Sequence, residues 1–177
     1  MNRQEMREKL QKKLTDRRFE HSLGVEYVSG CLAMVHGVNV EKALTAGLLH
    51  DCAKCLSPEE KIERCTKNNL PISECEYNNP ELLHAKLGAF YAREKYDVKE
   101  PDILSAIACH TTGKPAMNML EKILFVADYI EPNRKPLKDT LSNLETTTDD
   151  TDPMSIDTYN YYVAHQSVAD KLKEDDI

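Results

Sequence analysis

Histidine and aspartate stand side by side at His50-Asp51, within the run Ala-Gly-Leu-Leu-His-Asp-Cys-Ala-Lys from Ala46 to Lys54. An imidazole nitrogen is a borderline ligand and a carboxylate can bridge two ions, so the pair suits a divalent metal. An aspartate next to Leu48-Leu49 in an apolar segment is also costly to bury without a cation. The pair has company: His21 lies upstream, and His84, His110 and Asp128 follow, each within or beside an apolar segment of helical spacing. That set is enough for one metal with three or four protein ligands and a second metal sharing Asp51. Two ions bridged in this way lower the pKa of a shared water and make hydroxide available near neutral pH.

Helices must position these groups. Apolar residues recur at helical spacing nearly everywhere and no stretch shows sustained two-residue alternation, so the expected fold is all-α. The spacing predicts a charged first helix over 3 to 14 and a second, capped by Thr15 or Asp16, that carries His21. A third, capped by Asn39, runs to His50-Asp51. Ser57-Pro58-Glu59-Glu60 combines a cap, a proline at the first helical position and a capping-box glutamate, and opens a fourth. Asn79-Pro80 repeats the cap-plus-proline signal, placing His84 in the first turns of a fifth. A sixth starts at Glu100-Pro101 and ends at His110-Thr111. A seventh, Met117 to Glu131, is broken by Pro132 and holds Asp128 near its C-terminal end. There the helix dipole disfavours a carboxylate, which calls for a local cation.

Composition narrows the function classes. The chain has 177 residues and a formal charge of -7. This length gives one domain able to bury a core without disulfides. The acidic balance argues against a nucleic-acid polymer as partner, since groove readers carry a basic stripe, but a polyphosphate can still be drawn in locally by metal ions and a few cations. The charged N-terminus, Met1 to Lys9, offers neither a signal peptide nor a membrane span. A cytoplasmic protein with six free thiols is expected. Cys52-Ala-Lys-Cys55 has redox or zinc-knuckle spacing, yet no second close pair completes a zinc site, and two small side chains near the helix end are the simpler reading.

The order His21, His50-Asp51, Asp128 resembles the H…HD…D signature of HD-domain metal-dependent phosphohydrolases. Local strings sharpen the likeness: Arg18-Phe19-Glu20-His21 followed by Leu23-Gly24-Val25, the run Ala46 to Lys54, Leu82-Leu83-His84, Ala106-Ile107 with His110-Thr111-Thr112-Gly113, and Ala127 to Arg134. Together, over residues 10 to 135, they are similar to the bacterial YqeK-like branch, the symmetrical bis(5'-nucleosyl)-tetraphosphatases. The resemblance implies an HD-domain helical bundle and two divalent ions, iron in the family, although the donors tolerate Mn, Co, Ni or Zn. It further implies symmetrical hydrolysis of diadenosine tetraphosphate: water attacks an inner phosphate and two ADP leave. His21, which alone would be an ordinary helical histidine, becomes a ligand on the strength of its place in the signature.

His84 and His110 either complete a second metal or hydrogen-bond substrate or water; four imidazoles with two carboxylates suit a dinuclear hydrolase. Lys54, one turn after His50, is a phosphate or leaving-group contact. Arg134 could fork onto a phosphate, and Thr111 either bonds a phosphate or finishes its helix. Arg18 and Lys86 lie within a turn of proposed ligands, where solvated charges also sit. His36 and His165 stay outside the site. Two other readings keep the pocket: an HD-type nucleotidase or phosphodiesterase on another nucleotide, and a non-catalytic nucleotide-binding regulator. The presence of every ligand weighs against the last.

Residues 1 to 138 are thus expected to form the HD-type domain and 139 to 177 a divergent segment, a loop plus helix packed on it. Residues 140 to 152 hold too few large apolar groups to dock firmly, whereas Ile156, Tyr159, Tyr162 and Val163 have helical spacing that could cover the bundle or a second copy in a homodimer.

Overall fold

The computed structural model describes residues 1–132, which fall in one compact unit, Met1–Asn133. Arg134, residues 140 to 152, the helix expected from Pro153 and the 139–177 segment as a whole lie outside the described residues. Among the described residues every regular element is helical: α1 Arg3–Gln11, α2 Asp16–Val35, α3 Val40–Leu49, α4 Pro58–Lys67, α5 Glu74–Asn78, α6 Leu83–Tyr96, α7 Pro101–Cys109 and α8 Met119–Ile130.

Most helices begin where a side chain takes up an orphan amide. Thr15, Asn39, Ser57 and Asn118 each accept from the backbone N–H three residues on, and Glu60 and Glu121 return the bond to Ser57 and Asn118 as capping boxes. Two starts depart from expectation. The Asn79-Pro80 signal opens a 3-10 turn, Pro80–Leu82, without a side-chain cap, and α6 follows it. Residues Glu74–Asn78 form the unexpected α5, opened by a capping box between Ser73 and Glu76.

Buried side chains beside the chemical residues anchor them. Leu48, Leu49, Leu83, Leu87, Ile107, Leu124 and Val25 lose all solvent contact, and each such leucine is worth about 2–5 kcal/mol against truncation to alanine. α2 packs along α3 and α8, and α7 against α6, α3 and α8. A Cβ on Gly47 would lie 2.8 Å from the Val25 carbonyl oxygen, so only glycine allows α3 this close to α2. All six cysteines are free.

Glu121 shows how the last helix is fixed. Its carboxylate, 1% exposed, accepts from Ser105 Oγ at 2.5 Å, Lys114 Nζ at 2.6 Å and its own cap's backbone N–H at 2.9 Å. Burial works to raise its pKa, but the bonds from Lys114, Ser105 and Asn118 outweigh burial and hold it below the ordinary 4.5. A carboxylate lowered on folding contributes stability above its unfolded value, and that stability is lost as pH falls through the folded one. Glu121→Gln should therefore cost about 1–2 kcal/mol at neutral pH. In urea titrations the gap from wild type should narrow at acid pH; an equal gap at both pH values would remove the carboxylate from this role.

Candidate metal centre

Three helix ends meet at one place. α3 stops at Leu49, so His50 is its C-cap and Asp51 lies in the turn beyond, rather than both lying inside the helix as the sequence suggests. The chain tightens there into three-residue turns, with Cys52 N–H donating to Leu49 O at 3.1 Å and Lys54 N–H to Asp51 O at 2.9 Å. His110 is likewise the C-cap of α7, and Asp128 lies in the last turn of α8. The negative ends of three helix dipoles thus point at the same space, which favours a cation there. His21 enters from the middle of α2, and His84 from the first turn of α6.

The donors form two overlapping groups. His21 Nε2 is 3.0 Å from Asp128 Oδ1 and 3.3 Å from His50 Nε2. His50 Nε2 is 3.6 Å from both Asp128 Oδ1 and Asp51 Oδ2. The other oxygen of Asp51, Oδ1, is 3.3 Å from His84 Nε2 and 3.7 Å from His110 Nε2, which are themselves 3.2 Å apart. Three sets, His21-His50-Asp51, His50-His110-Asp128 and Asp51-His84-His110, each bring their ligand atoms within 4.8 Å of one another.

The imidazole tautomers test whether a metal fits. His50 Nδ1 lies 2.7 Å from Gly47 O, His110 Nδ1 2.7 Å from Ile107 O, and His84 Nδ1 close to Glu81 O. A carbonyl only accepts, so each Nδ1 carries the hydrogen and each Nε2 turns a lone pair inward. His84 and His110 then face each other lone pair to lone pair at 3.2 Å beside a carboxylate. The Thr111 hydroxyl, close to both nitrogens, can donate to only one of them; a cation shared between them would satisfy both, and the donors present fit a divalent transition metal.

The electrostatics agree. For Asp51, burial works to raise the carboxyl, but His50, His110 and His84 outweigh it and hold it far below the carboxylate range. Burial likewise works to lower His50, yet Asp51 and Asp128 raise it overall, whereas His84, buried near one carboxylate and crowded by His110 and Lys54, is held down at about 4. The carboxylates thus draw positive charge onto His50, in the position where a divalent ion would replace a proton.

Other residues singled out in the sequence take varied places. Lys54 Nζ is 3.3 Å from His84 Nδ1 and 3.8 Å from Glu81 Oε2, part-buried at the rim; burial lowers its pKa below the ordinary 10.5. Thr111 Oγ1 lies 3.1 Å from His84 Nε2 and 3.2 Å from His110 Nε2, inside the cluster. Arg18, which could have been a solvated charge, donates from its guanidinium to Asp51 Oδ2 at 2.7 Å. Lys86 is engaged with Glu76 at 2.7 Å, on α5, and touches none of the donors in the structure.

Glu131 was not among the sequence candidates. Its carboxylate, fully buried, accepts from His21 Nδ1 at 3.0 Å, giving that imidazole the same orientation that backbone carbonyls give the other three. A Cβ on Gly24 would come within 2.3 Å of Glu131 Oε1, so the Gly24 of the Leu-Gly-Val string is what admits the carboxylate. The signal was available: Glu131 stands three residues after Asp128 and shares its helix face.

A model of the HD domain matches residues 18–133, a stretch that includes all six donors. The chain is 40% identical over 135 residues to the "Bis(5'-nucleosyl)-tetraphosphatase, symmetrical" of Halalkalibacterium halodurans, spanning 76% of this chain and 72% of that protein. It is also 40% identical over 134 residues to the protein of the same name from Bacillus subtilis, again spanning 76% and 72%. The chain belongs to the HD-domain family of symmetrical bis(5'-nucleosyl)-tetraphosphatases. The fold of this HD-family member is also that of a crystal structure from Clostridium acetobutylicum, described as a predicted HD superfamily hydrolase involved in NAD metabolism. The two align with a TM-score of 0.74 and 37% identity, over 83% of this chain and 79% of that one.

In an HD site the groups behind the ligands tune the metal. Glu131→Gln, which keeps the shape but removes the charge behind His21, should weaken metal affinity about 10–100-fold. Gly24→Ala should act in the same direction by displacing that carboxylate. Competition with a chromophoric chelator reads both; unchanged affinity in Glu131→Gln would make the contact merely structural.

Proposed function

We propose that this HD-family member is a metal-dependent hydrolase of dinucleoside polyphosphates that cleaves diadenosine tetraphosphate symmetrically into two ADP. The substrate class is supported by the 40% identity to two symmetrical tetraphosphatases. The chemistry is carried by one observation, the contact of His50, His84 and His110 Nδ1 with backbone carbonyls, which turns the Nε2 atoms of all three toward Asp51.

His21, His50, Asp51 and Asp128 would hold one divalent transition metal, and Asp51, His84 and His110 a second; iron is the family's metal, and Mn, Co, Ni or Zn suit the same donors. When bound, the pair supplies an activated water and neutralises phosphate charge. The chain's own groups do the rest. Arg18 holds Asp51 Oδ2 at 2.7 Å and fixes the carboxylate between the two donor groups. Lys54, part-buried beside His84, is placed to bind phosphate oxygens and steady the charge that grows on the departing ADP. Thr111 can donate one hydrogen to a phosphate oxygen within reach of the same imidazoles. Arg134 is assigned to phosphate on family likeness.

We assign the reaction to the cytoplasm; among the described residues no helix is long and apolar enough to cross a membrane. Metal analysis of the purified protein, with chromatography of its products, tests the proposal. Diadenosine tetraphosphate should yield ADP alone. ATP with AMP would overturn the symmetry, and turnover of mononucleotides or cyclic nucleotides in place of the tetraphosphate would replace the substrate class.

A further inference from the structure

Lysine is almost never fully buried unless a carboxylate meets it. Lys61 on α4 is 1% exposed, and among the described residues its ion-pair partner is Glu81, whose Oε1 lies 2.6 Å from the ammonium. The Glu81 side chain itself is 57% exposed. The pair therefore runs from the interior to the rim, and it reaches the rim beside the metal centre. Glu81 lies in the 3-10 turn Pro80–Leu82 ahead of α6, and its backbone carbonyl accepts from His84 Nδ1.

The two carboxylate oxygens have different tasks. With Oε1 held by Lys61, Oε2 stands 3.8 Å from the Lys54 ammonium. That separation is too long for a hydrogen bond but short enough for opposite charges to attract. His84 Nδ1, 3.3 Å from the same ammonium, already carries the hydrogen it gives to Glu81 O and so cannot accept another. Lys54 is thus steered without being captured, and its donors stay free for another acceptor. A tie that only fastened α4 to the turn would need the first of these contacts and not the second.

We infer that Glu81, moored by Lys61, is a positioning residue for the phosphate side of the reaction: it holds the Lys54 ammonium beside His84 while leaving its donors for the polyphosphate. This inference rests on the phosphate role proposed for Lys54 and adds Glu81 and Lys61 to it.

A double-mutant cycle with Lys54 tests the assignment. In the metal-loaded protein Glu81→Gln, which drops the charge but still offers Lys61 an acceptor, should lower kcat/KM for diadenosine tetraphosphate about three- to thirtyfold, the scale of a misplaced contact. Metal content should not change. In a Lys54→Ala background the same substitution should cost less than about twofold, because the ammonium it positions is gone. Lys61→Met replaces the buried charge by an apolar chain of similar length and lets Glu81 turn to solvent, a change that folds tolerate. It should lower kcat/KM too, and again only where Lys54 is present. Calorimetric titration with ADP reads the same cycle without turnover: affinity should fall in Glu81→Gln and ignore that change once Lys54 is alanine. Unchanged values in both variants, losses that add independently of Lys54, or ADP affinity that does not depend on Lys54 would overturn the inference. Loss of metal in Glu81→Gln would overturn it as well, by placing the effect at His84. If the wild type binds ADP through Lys54 but leaves the tetraphosphate intact, the functional reading alone fails, and the ADP cycle still decides this one.

Discussion

Asp51→Ala is expected to lose bound metal and turnover together. The two oxygens of this carboxylate serve different partners: Oδ1 faces His84 and His110, and Oδ2 faces His50 and Arg18. Removing it leaves any two ions facing each other with nothing negative between them, and the water loses its activation. Turnover of diadenosine tetraphosphate should fall about a thousandfold or more. Elemental analysis should show the metal gone from both groups, not from one. The fold should survive, because the exposed side of Arg18 can turn to solvent, and thermal unfolding of the metal-free forms controls for this. Full metal content in the variant would sink the bridging assignment.

The second large effect belongs to Lys54. Its ammonium lies at the rim, beside His84 but outside the donor set, so Lys54→Ala should leave metal content unchanged while lowering kcat/KM by roughly one to three orders of magnitude. Burial keeps this lysine below its ordinary pKa without a full carboxylate partner, Glu81 standing 3.8 Å away. A phosphate is the stronger attraction. Wild-type kinetics in this variant would reduce Lys54 to a structural neighbour of Glu81. Metal loss would move it into the machinery that holds the ions.

Much of this arrangement was legible in the residues themselves. Capping signals at Ser57-Pro58 and Asn39 mark real helix starts because they work within four residues of chain. His50-Asp51 announces itself because adjacent donors in an apolar run have few other uses. What escaped depends on contacts made only when the chain folds. Glu131 reaches His21 across 110 positions, and Arg18 reaches Asp51 across 33. Neither distance leaves a trace in local periodicity. The five-residue α5 is too short to display an apolar stripe, although its Ser73-Glu76 box was present to be read. The helix end at Leu49 was missed because His50 itself takes up the Gly47 carbonyl, a side-chain bond that replaces the next turn of backbone.

That bond recurs. His50, His84 and His110 are each fastened to the carbonyl three residues earlier, and His21 to a buried carboxylate. The rings are oriented by the folding of the chain and not by the guest, so an incoming ion finds little left to organise. Loading should consequently be quick, and one ion should exchange for another without any part of the bundle coming apart. A frame fixed before the ion arrives also sets the ligand number and geometry on offer, so the choice among iron, manganese, cobalt, nickel and zinc rests on how each fits that frame as well as on its supply.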